Sequence, residues 1–215
     1  MKLQFTTLTN TNHTKFREVV SIYEDSFPAN ERQPLEIFDE RVSAGKTELI
    51  VAEQNDQVMG FVVIWDFNSM ANGFIDYLAV SSKFRSKGIG RQLLRFVCQK
   101  ARSLGKDLII ETEYPGEGEN MAERERRLQF YLNNGAFILG QVPYILPSLN
   151  NTSNTKMLLL VIPAENRQAY PGNEIKKLIK LIYSEVYQKP ADDKLMLSFI
   201  NQVPETVFLT KLFKS

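Results

Sequence analysis

Residues 74–90 read FIDYLAVSSKFRSKGIG, and the order of features in this stretch decides the fold. An apolar strand over residues 74–80 runs into a short loop, and Gly88-Ile89-Gly90 then opens a helix over residues 90–104. The loop carries three cations, Lys83, Arg85 and Lys87. The first turn of a helix has unpaired N–H groups and a partial positive charge, and glycine lets a ligand approach the backbone closely. The stretch therefore predicts a binding site for a pyrophosphate.

Two other phosphate-binding motifs do not fit this stretch. A P-loop would end in Gly-Lys-Ser or Gly-Lys-Thr, and a dinucleotide-binding fingerprint would read G-x-G-x-x-G; neither pattern occurs here. Taken alone, the stretch is also compatible with a glycine-rich helix start that binds nothing.

Apolar periodicity outward from this stretch predicts strands and helices in mixed order. The predicted strands span residues 1–7, 47–53, 58–67, 74–80, 108–113, 137–139 and 156–162. The predicted helices span residues 14–27, 34–42, 90–104 and 122–134. Because helices and strands are mixed rather than segregated, the predicted class is α/β (α+β).

The pattern changes after Pro163. A helix capped by Asn173 is predicted to present one apolar face, a second helix lies near residues 193–202, and a strand is predicted at 207–213. Short amphipathic helices are unstable unless they pack against other surfaces. We therefore predict one domain at residues 1–163 and a C-terminal helical extension at 164–215 that packs on it, although docking on a second copy stays open.

Composition narrows the class of protein further. Lys plus Arg is 26 and Asp plus Glu is 25, which gives a net charge of +1 and no general attraction to nucleic acid or an anionic membrane. Cys98 is the single cysteine, which excludes an intrachain disulfide and fits a reducing compartment. We see neither a signal-peptide pattern nor the roughly 20 apolar residues of a membrane-spanning helix. A soluble cytoplasmic protein, monomeric or homodimeric, is expected.

Two motifs resemble the GNAT superfamily of acyltransferases. Arg85-Ser86-Lys87-Gly88-Ile89-Gly90 matches its R/Q-x-x-G-x-G/A signature, and Leu78-Ala79-Val80 resembles the strand that lies along the pantetheine arm. Residues 130–137, FYLNNGAF, resemble the second motif, F-Y-x-x-x-G-F, with one residue inserted. The chain is identified as a GNAT superfamily N-acetyltransferase similar to bacterial members, strongly over residues 74–137 and by element order elsewhere in 1–162.

The resemblance implies a mixed, mostly antiparallel central sheet flanked by helices, and acetyl-CoA as co-substrate. Backbone groups of Leu78 and Val80 would pair with the pantetheine amides, and an amide near Val80 would polarise the thioester carbonyl. Tyr131 would be the general acid near the sulfur. The implied cofactor-binding residues are Leu78, Ala79, Val80, Arg85, Ser86, Lys87, Gly88, Ile89, Gly90 and Arg91.

A base is also needed, because an alkylamine with a pKa near ~10.4 is mostly protonated at neutral pH. Asp76 lies mid-strand among apolar residues, where a carboxylate is costly unless it is paired or functional. Glu111 and Glu113 share one face at the end of a strand and could bind and deprotonate a cationic amine. Each has a structural alternative: Asp76 could pair with Arg91 or Arg95, and the two glutamates could be solvated.

Other candidates are interpreted structurally. Tyr131 could be only a core aromatic, and Cys98 is expected to pack rather than react. Arg124, Arg126 and Arg127 are interpreted as a solvated helix face, and we find no metal constellation. The predicted function is direct transfer of acetyl from acetyl-CoA to a primary amine of a small molecule or peptide, in a ternary complex. A non-catalytic CoA-binding module that engages a partner protein, and transfer of a longer acyl or aminoacyl group, stay open.

Overall fold

The fold is built on one ten-stranded sheet, seen in a computed structural model that describes residues 3–9, 11, 14–27, 32–67, 69–117, 120–148 and 154–211. The strands are β1 (Gln4–Leu8), β2 (Thr47–Gln54), β3 (Gln57–Phe67), β4 (Asn72–Val80), β5 (Asp107–Glu113), β6 (Phe137–Leu139), β7 (Tyr144–Leu146), β8 (Thr155–Ile162), β9 (Ala169–Pro171) and β10 (Thr206–Thr210). Their order is β1-β2-β3-β4-β5-β8-β6-β10-β9, with β7 paired to β8.

Six α-helices flank the described part of the sheet. They are α1 (Thr14–Ser26), α2 (Leu35–Ser43), α3 (Ile89–Ser103), α4 (Met121–Asn133), α5 (Gly172–Leu181) and α6 (Lys194–Ile200). A 3₁₀ turn at Ser82–Phe84 precedes α3, and a π-helical segment at Ile182–Val186 continues α5. Every strand and helix predicted within residues 1–163 is present, with ends that differ by at most two residues where the structure describes them; residues 1 and 2 of the first predicted strand lie outside the described residues. The mixed class with a mostly antiparallel sheet is confirmed.

The strands β4 and β5 are parallel, whereas the other paired strands of the described sheet are antiparallel. Their pairing runs from Asn72 opposite Asp107 to Ile75 opposite Ile110 and then stops. Beyond that point β4 pairs only with β3, and β5 pairs with β8. The two strands therefore diverge, and residues 76–80 of β4 keep an unpaired backbone edge toward β5.

A β-bulge at Asp76 accounts for the divergence. Val63 of β3 lies opposite Tyr77, but its neighbour Ile64 lies opposite Ile75, so Asp76 is an extra residue in β4. A bulge bends its strand and increases the local twist. The bend falls where β4 and β5 separate, so the bulge opens the cleft that the sheet contains.

The core has two sides, because successive residues of a strand point to opposite faces of the sheet. On one face, apolar residues of α3 and α4 such as Leu94 and Leu128 pack on Ile75 and Leu160. On the opposite face, α1 and α2 cover β2–β4, and α5 and α6 cover the strands beyond. The cleft between β4 and β5 is therefore covered by α3 and α4 behind and is bordered by α1, α2 and the C-terminal helices in front.

Residues after 163 share one apolar cluster with the sheet. Ile175 and Tyr183 from this part of the chain are buried in the same cluster as Phe74, Ile109 and Val161. The division of the chain at residue 163 itself stays a prediction.

The predicted cap at Asn173 is wrong. Helix α5 begins one residue earlier, at Gly172, and Pro171 at its N-cap offers no side-chain hydrogen bond. Gly172 N donates to Glu205 O at 2.6 Å, and a Cβ at Gly172 would meet Pro204 O at 1.8 Å. The close backbone approach replaces a side-chain cap and requires glycine. In α6, Asp193 does cap the helix and accepts from Met196 N at 2.9 Å.

Candidate active site

The cleft between the diverging ends of β4 and β5 contains a cavity of about 230 Å³. Its lining brings together these residues singled out from the sequence: Asp76, Leu78, Ala79, Val80, Arg85, Glu111 and Tyr131. Phe130 of the second motif also lines it. The two motifs, 45 positions apart at Arg85 and Phe130, thus meet at one cavity because α3 and α4 lie on the same face of the sheet.

The start of α3 lies beside this cavity. Gly88 is the N-cap with φ 76°, no side chain caps the helix, and Ser86 also has a positive φ of 63°. The first-turn N–H groups of α3 therefore have no side-chain acceptor in the described structure. A Cβ at Gly90 would lie 3.4 Å from Val80 and 3.6 Å from Phe130, which both line the cavity. The helix start thus has the uncapped geometry that suits an anion, and it opens next to the cleft.

The cations of the loop are exposed around this turn. Arg85 Nε donates to Val80 O at 3.3 Å, and Lys87 lies 5.2 Å from the centre of the Phe84 ring. Arg91, which was predicted to bind cofactor, lies apart from this cavity and lines a separate groove of about 850 Å³ beside Arg95 and Arg102. The structure therefore groups Arg85 with the cleft and separates Arg91 from it.

Asp76 is a nearly buried, paired carboxylate. Trp65 Nε1 donates to its Oδ2 at 3.0 Å, and Arg41 Nη1 lies 3.6 Å from the same oxygen. The predicted alternatives Arg91 and Arg95 are not its partners; the cation comes from α2. Burial raises the pKa of Asp76, and the Trp65 hydrogen bond and the Arg41 charge act against that rise.

Glu113 is also paired rather than solvated, so the alternative of an exposed strand end is wrong for it. Arg127 pairs with its Oε2, and Arg124 Nε lies 3.8 Å from its Oε1. The interpretation of Arg124 and Arg127 as a solvated helix face is therefore also wrong. Helix α4 begins directly after the loop that follows β5, which brings its first turns over the end of that strand.

Glu111 is the carboxylate of this group that has no ion pair in the described structure. Tyr144 donates to its Oε1, and Tyr187 donates to its Oε2 at 2.5 Å. Burial raises the pKa of Glu111 to about 7; the two tyrosine hydrogen bonds lower that pKa, and the charge of Asp76 raises it. A carboxyl with a pKa near neutrality can act as a general base.

A second cavity of about 90 Å³ adjoins the first. Both cavities are lined by Phe27, Asp76, Glu111 and Arg127, and the smaller one is also lined by Glu113 and Tyr187. Glu111 therefore lies where the two cavities meet.

Tyr131 packs in the core and also lines the larger cavity. The residue is 7% exposed, and its hydroxyl has no hydrogen-bond partner among the described residues. Burial raises its pKa to about 12; the charge of Arg127 acts against this rise, and that of Glu113 adds to it. The phenol is therefore protonated at neutral pH.

Four side chains that contact Asp76 or Glu111 were missed in the sequence: Arg41, Trp65, Tyr144 and Tyr187. Arg41 had a signal, because it lies three residues after Phe38 and one before Val42, on the buried face of α2. Tyr144 and Tyr187 gave none, since an isolated tyrosine among apolar residues is typical of a core.

Within the described residues, no group of three or more acidic, histidine or cysteine side chains could hold a metal, and no helix is long and apolar enough to cross a bilayer.

Comparison with known proteins supplies an independent finding. Residues 16–120 match the model of the Acetyltransferase (GNAT) family. No curated protein is significantly similar in sequence. Among solved structures, a GNAT-family protein from Bacteroides thetaiotaomicron superposes with a TM-score of 0.73 at 21% identity, over 87% of this chain and 99% of its own.

Two further structures share the fold. A GNAT-family acetyltransferase from Elizabethkingia anophelis, solved with acetyl-CoA bound, has a TM-score of 0.52 at 22% identity, over 75% of this chain and 97% of its own. The ribosomal-protein-S18-alanine N-acetyltransferase from Escherichia coli has a TM-score of 0.54 at 14% identity, over 77% of this chain and 96% of its own.

Proposed function

Because residues 16–120 form a GNAT-family acetyltransferase domain, we propose that this chain transfers an acetyl group from acetyl-CoA to a primary amine of a small molecule or peptide. The observation that carries the proposal is the position of Glu111. This carboxylate, without a cation of its own, lies at the junction of two cavities, and the larger of them adjoins an anion-binding helix start. A cationic amine and an acyl-CoA would meet there.

The larger cavity suits acetyl-CoA. The unpaired edge of β4 over residues 76–80 offers backbone groups of Leu78 and Val80 to the pantetheine amides. The uncapped amides at the start of α3 would hold the pyrophosphate, with Arg85 and Lys87 adding positive charge. The acetyl-CoA bound to the Elizabethkingia neighbour supports this choice of co-substrate.

The smaller cavity suits the amine. Asp76 and Glu113 already pair with arginines, so Glu111 is the carboxylate left to pair with an ammonium group. A cavity of about 90 Å³ accommodates a compact amino group with its neighbouring carbons rather than a bulky one. A primary amine at the end of a small molecule or peptide has this shape.

The proposed reaction is a direct transfer in a ternary complex. Glu111 takes a proton from the ammonium group, and the neutral amine attacks the thioester carbonyl carbon while the Val80 amide stabilises the negative oxygen. The intermediate collapses, the carbon–sulfur bond breaks, and Tyr131 gives its proton to the departing CoA sulfur; the Tyr131 phenolate then takes the second proton from the nitrogen, which leaves the neutral amide, and Glu111 releases its proton to solvent. Cys98 is not needed as a nucleophile: it lines the separate groove beside Arg91 rather than this cavity, and burial raises the pKa of its thiol to about 11.

Further parts of the proposal are a cytoplasmic location and a monomeric or homodimeric state. The single cysteine and the balance of 26 basic and 25 acidic residues support a reducing compartment and a lack of nucleic-acid or membrane partners.

A thiol-release assay with acetyl-CoA and a panel of primary amines tests the function. We expect turnover with at least one compact amine and loss of that turnover in Glu111→Gln. Binding of acetyl-CoA without turnover by any amine would instead support a non-catalytic CoA-binding module. Faster turnover with longer acyl-CoA or aminoacyl donors would support transfer of those groups.

A further inference from the structure

Tyr187 enters the candidate site from outside the family-matched region. It follows the π-helical segment Ile182–Val186 and lines the smaller cavity. Its hydroxyl donates to Glu111 Oε2 at 2.5 Å across 76 positions of the chain. Residues 16–120, which match the family, therefore hold the carboxylate but not this partner.

The position of Tyr187 is fixed by the residue before it. The carbonyl oxygen of Val186 accepts a hydrogen bond of 2.6 Å from Arg41 Nη2, and Val186 itself is fully buried. The same guanidinium lies 3.6 Å from Asp76 through Nη1. A π-helical turn is rare and often occurs at functional sites. The end of this helix is thus held against β4 and α2, with Tyr187 directed at Glu111.

Both tyrosines that bind Glu111 keep their protons. Burial and the neighbouring charge of Glu111 raise the pKa of Tyr144 and of Tyr187 well above the ordinary value. They therefore act as donors, and a donor stabilises the charged form of a carboxylate. Each carboxylate oxygen has a second lone pair, so both hydrogen bonds leave acceptor capacity for a substrate ammonium group.

We propose that Tyr187 is a positioning residue that holds the Glu111 carboxylate toward the amine and keeps it ionised, so that the C-terminal extension completes the acceptor half of the site. This inference rests on the proposed function. It explains why a carboxylate with no ion pair in the described structure lies partly buried between two cavities: its charge is balanced by two hydroxyl donors until an ammonium group arrives.

Other charged groups around Glu111 also affect its ionisation. Asp76 on β4 faces it and disfavours its ionisation, whereas Arg41 on α2 offsets the charge of Asp76. Arg127 on α4 lines both cavities but is paired with Glu113 on β5. With those charges unchanged, removing the Tyr187 hydroxyl changes one direct contact of Glu111.

The test compares Tyr187→Phe with Tyr183→Phe. Tyr183 lies four residues earlier, within the π-helical segment; it is fully buried where Tyr187 is partly buried, and its hydroxyl donates to the carbonyl of Ile145 rather than to Glu111. The acid limb of the plot of kcat/KM against pH reports the pKa of Glu111. We expect Tyr187→Phe to move this limb to higher pH by about one unit, because the loss of a hydrogen bond to a charged group raises the pKa by about that much. Tyr183→Phe should leave the limb in place, and the Kd for acetyl-CoA should not change in either variant.

Thermal unfolding measured as a function of pH reports the ionisation of the same carboxyl and does not depend on turnover. In the parent protein Glu111 titrates near a pKa of about 7, and stability falls as pH rises to that value; in Tyr187→Phe the fall should extend to higher pH. If the parent turns over no amine while the fall in stability still extends to higher pH in Tyr187→Phe, the proposed function is wrong and the positioning role of Tyr187 stands. Identical pH profiles for Tyr187→Phe and Tyr183→Phe in both measurements overturn it.

Discussion

Arg41 Nη2 donates a 2.6 Å hydrogen bond to the carbonyl oxygen of Val186, which ties α2 to the C-terminal segment across 145 positions of the chain. The same guanidinium lies 3.6 Å from Asp76 and 4.9 Å from the centre of the Trp65 ring. Arg41 is 4% exposed. One buried cation therefore connects the bulged strand, the second helix and the residue that precedes Tyr187.

Arg41→Met is expected to be strongly destabilising. The substitution leaves Asp76 as a buried carboxylate without its cation and removes the donor from the Val186 carbonyl, and breaking a buried pair typically costs ~3–5 kcal/mol. Denaturant unfolding measures the change. Lys46→Met is the matched control, since Lys46 pairs with Glu40 at the exposed end of the same region. If the two variants lose the same free energy of unfolding, Arg41 does not have this connecting role. Adding Asp76→Asn to Arg41→Met should recover part of the lost stability, because it removes the unpaired carboxylate.

Gly88→Asp is expected to weaken acetyl-CoA binding by at least about tenfold, because a carboxylate at the helix start repels the pyrophosphate. The backbone at Gly88 also has a φ of 76°, so any side chain adds strain. Gly105→Asp controls for that strain, since Gly105 follows the other end of α3 with a φ of 65° and equal open space. Calorimetry on both variants measures the Kd for acetyl-CoA. Equal losses in the two variants would mean that strain, not the anion-binding turn, is responsible.

Tyr131→Phe is expected to lower kcat by about 10²–10⁴-fold and to leave acetyl-CoA affinity unchanged. The hydroxyl is the only group removed, and it has no hydrogen-bond partner among the described residues, so packing should survive. Single-turnover rates at saturating amine measure the chemical step. An unchanged rate would leave Tyr131 as a core aromatic only.

Glu111→Gln is expected to change the pH dependence of stability. The pKa of Glu111 rises on folding from its ordinary value of 4.5 to about 7, so the native state binds more protons than the unfolded state between those values. The free energy of unfolding of the parent therefore falls as pH rises from about 4.5 to about 7 through this group. The glutamine cannot ionise, so the variant lacks this fall in the free energy of unfolding. Tm measured at pH 5 and at pH 8 should differ less in the variant than in the parent, and an equal difference would contradict the raised pKa.

The residues of the proposed cofactor half could be grouped from the sequence because their signals are local. The strand, the glycine turn and the start of α3 are consecutive, so residues 74–90 place Val80, Arg85 and Gly88 together without knowledge of the rest of the fold. The bulge at Asp76 was not predictable, because it depends on the register between β3 and β4. Yet the sequence did single out Asp76, since an acid in an apolar strand is unusual.

The acceptor half is assembled from residues far apart in the chain, which local patterns cannot show. Tyr144 and Tyr187 read as core aromatics, and their meeting at Glu111 requires β7 beside β8 and a π-helical turn after α5. A π-turn shifts the angular position of every following side chain relative to an α-helix. The apolar periodicity of α5 therefore could not predict the direction of Tyr187.

The last prediction concerns removal of residues 164–215. We expect the remaining chain to be insoluble, because the removed segment supplies a large share of one apolar cluster. Its buried members there are Tyr170, Ile175, Leu178, Ile179, Ile182, Tyr183, Val186, Met196, Phe199, Ile200, Val203 and Val207. At ~1.5–3 kcal/mol for each buried apolar side chain, their loss exceeds the ~5–15 kcal/mol by which domains are usually stable.

The truncation would also expose the sheet face that these residues cover, including Phe74, Ile109 and Val161. Exposed apolar patches of this kind lead to aggregation. Light scattering and circular dichroism of the truncated chain measure the outcome, and co-expression of residues 164–215 as a separate chain should restore solubility if docking alone is needed. A soluble, folded truncation with unchanged amine turnover would contradict both a structural and a site role for the extension. A folded truncation that binds acetyl-CoA normally but has lost turnover would assign the extension to the acceptor pocket alone, through Tyr187.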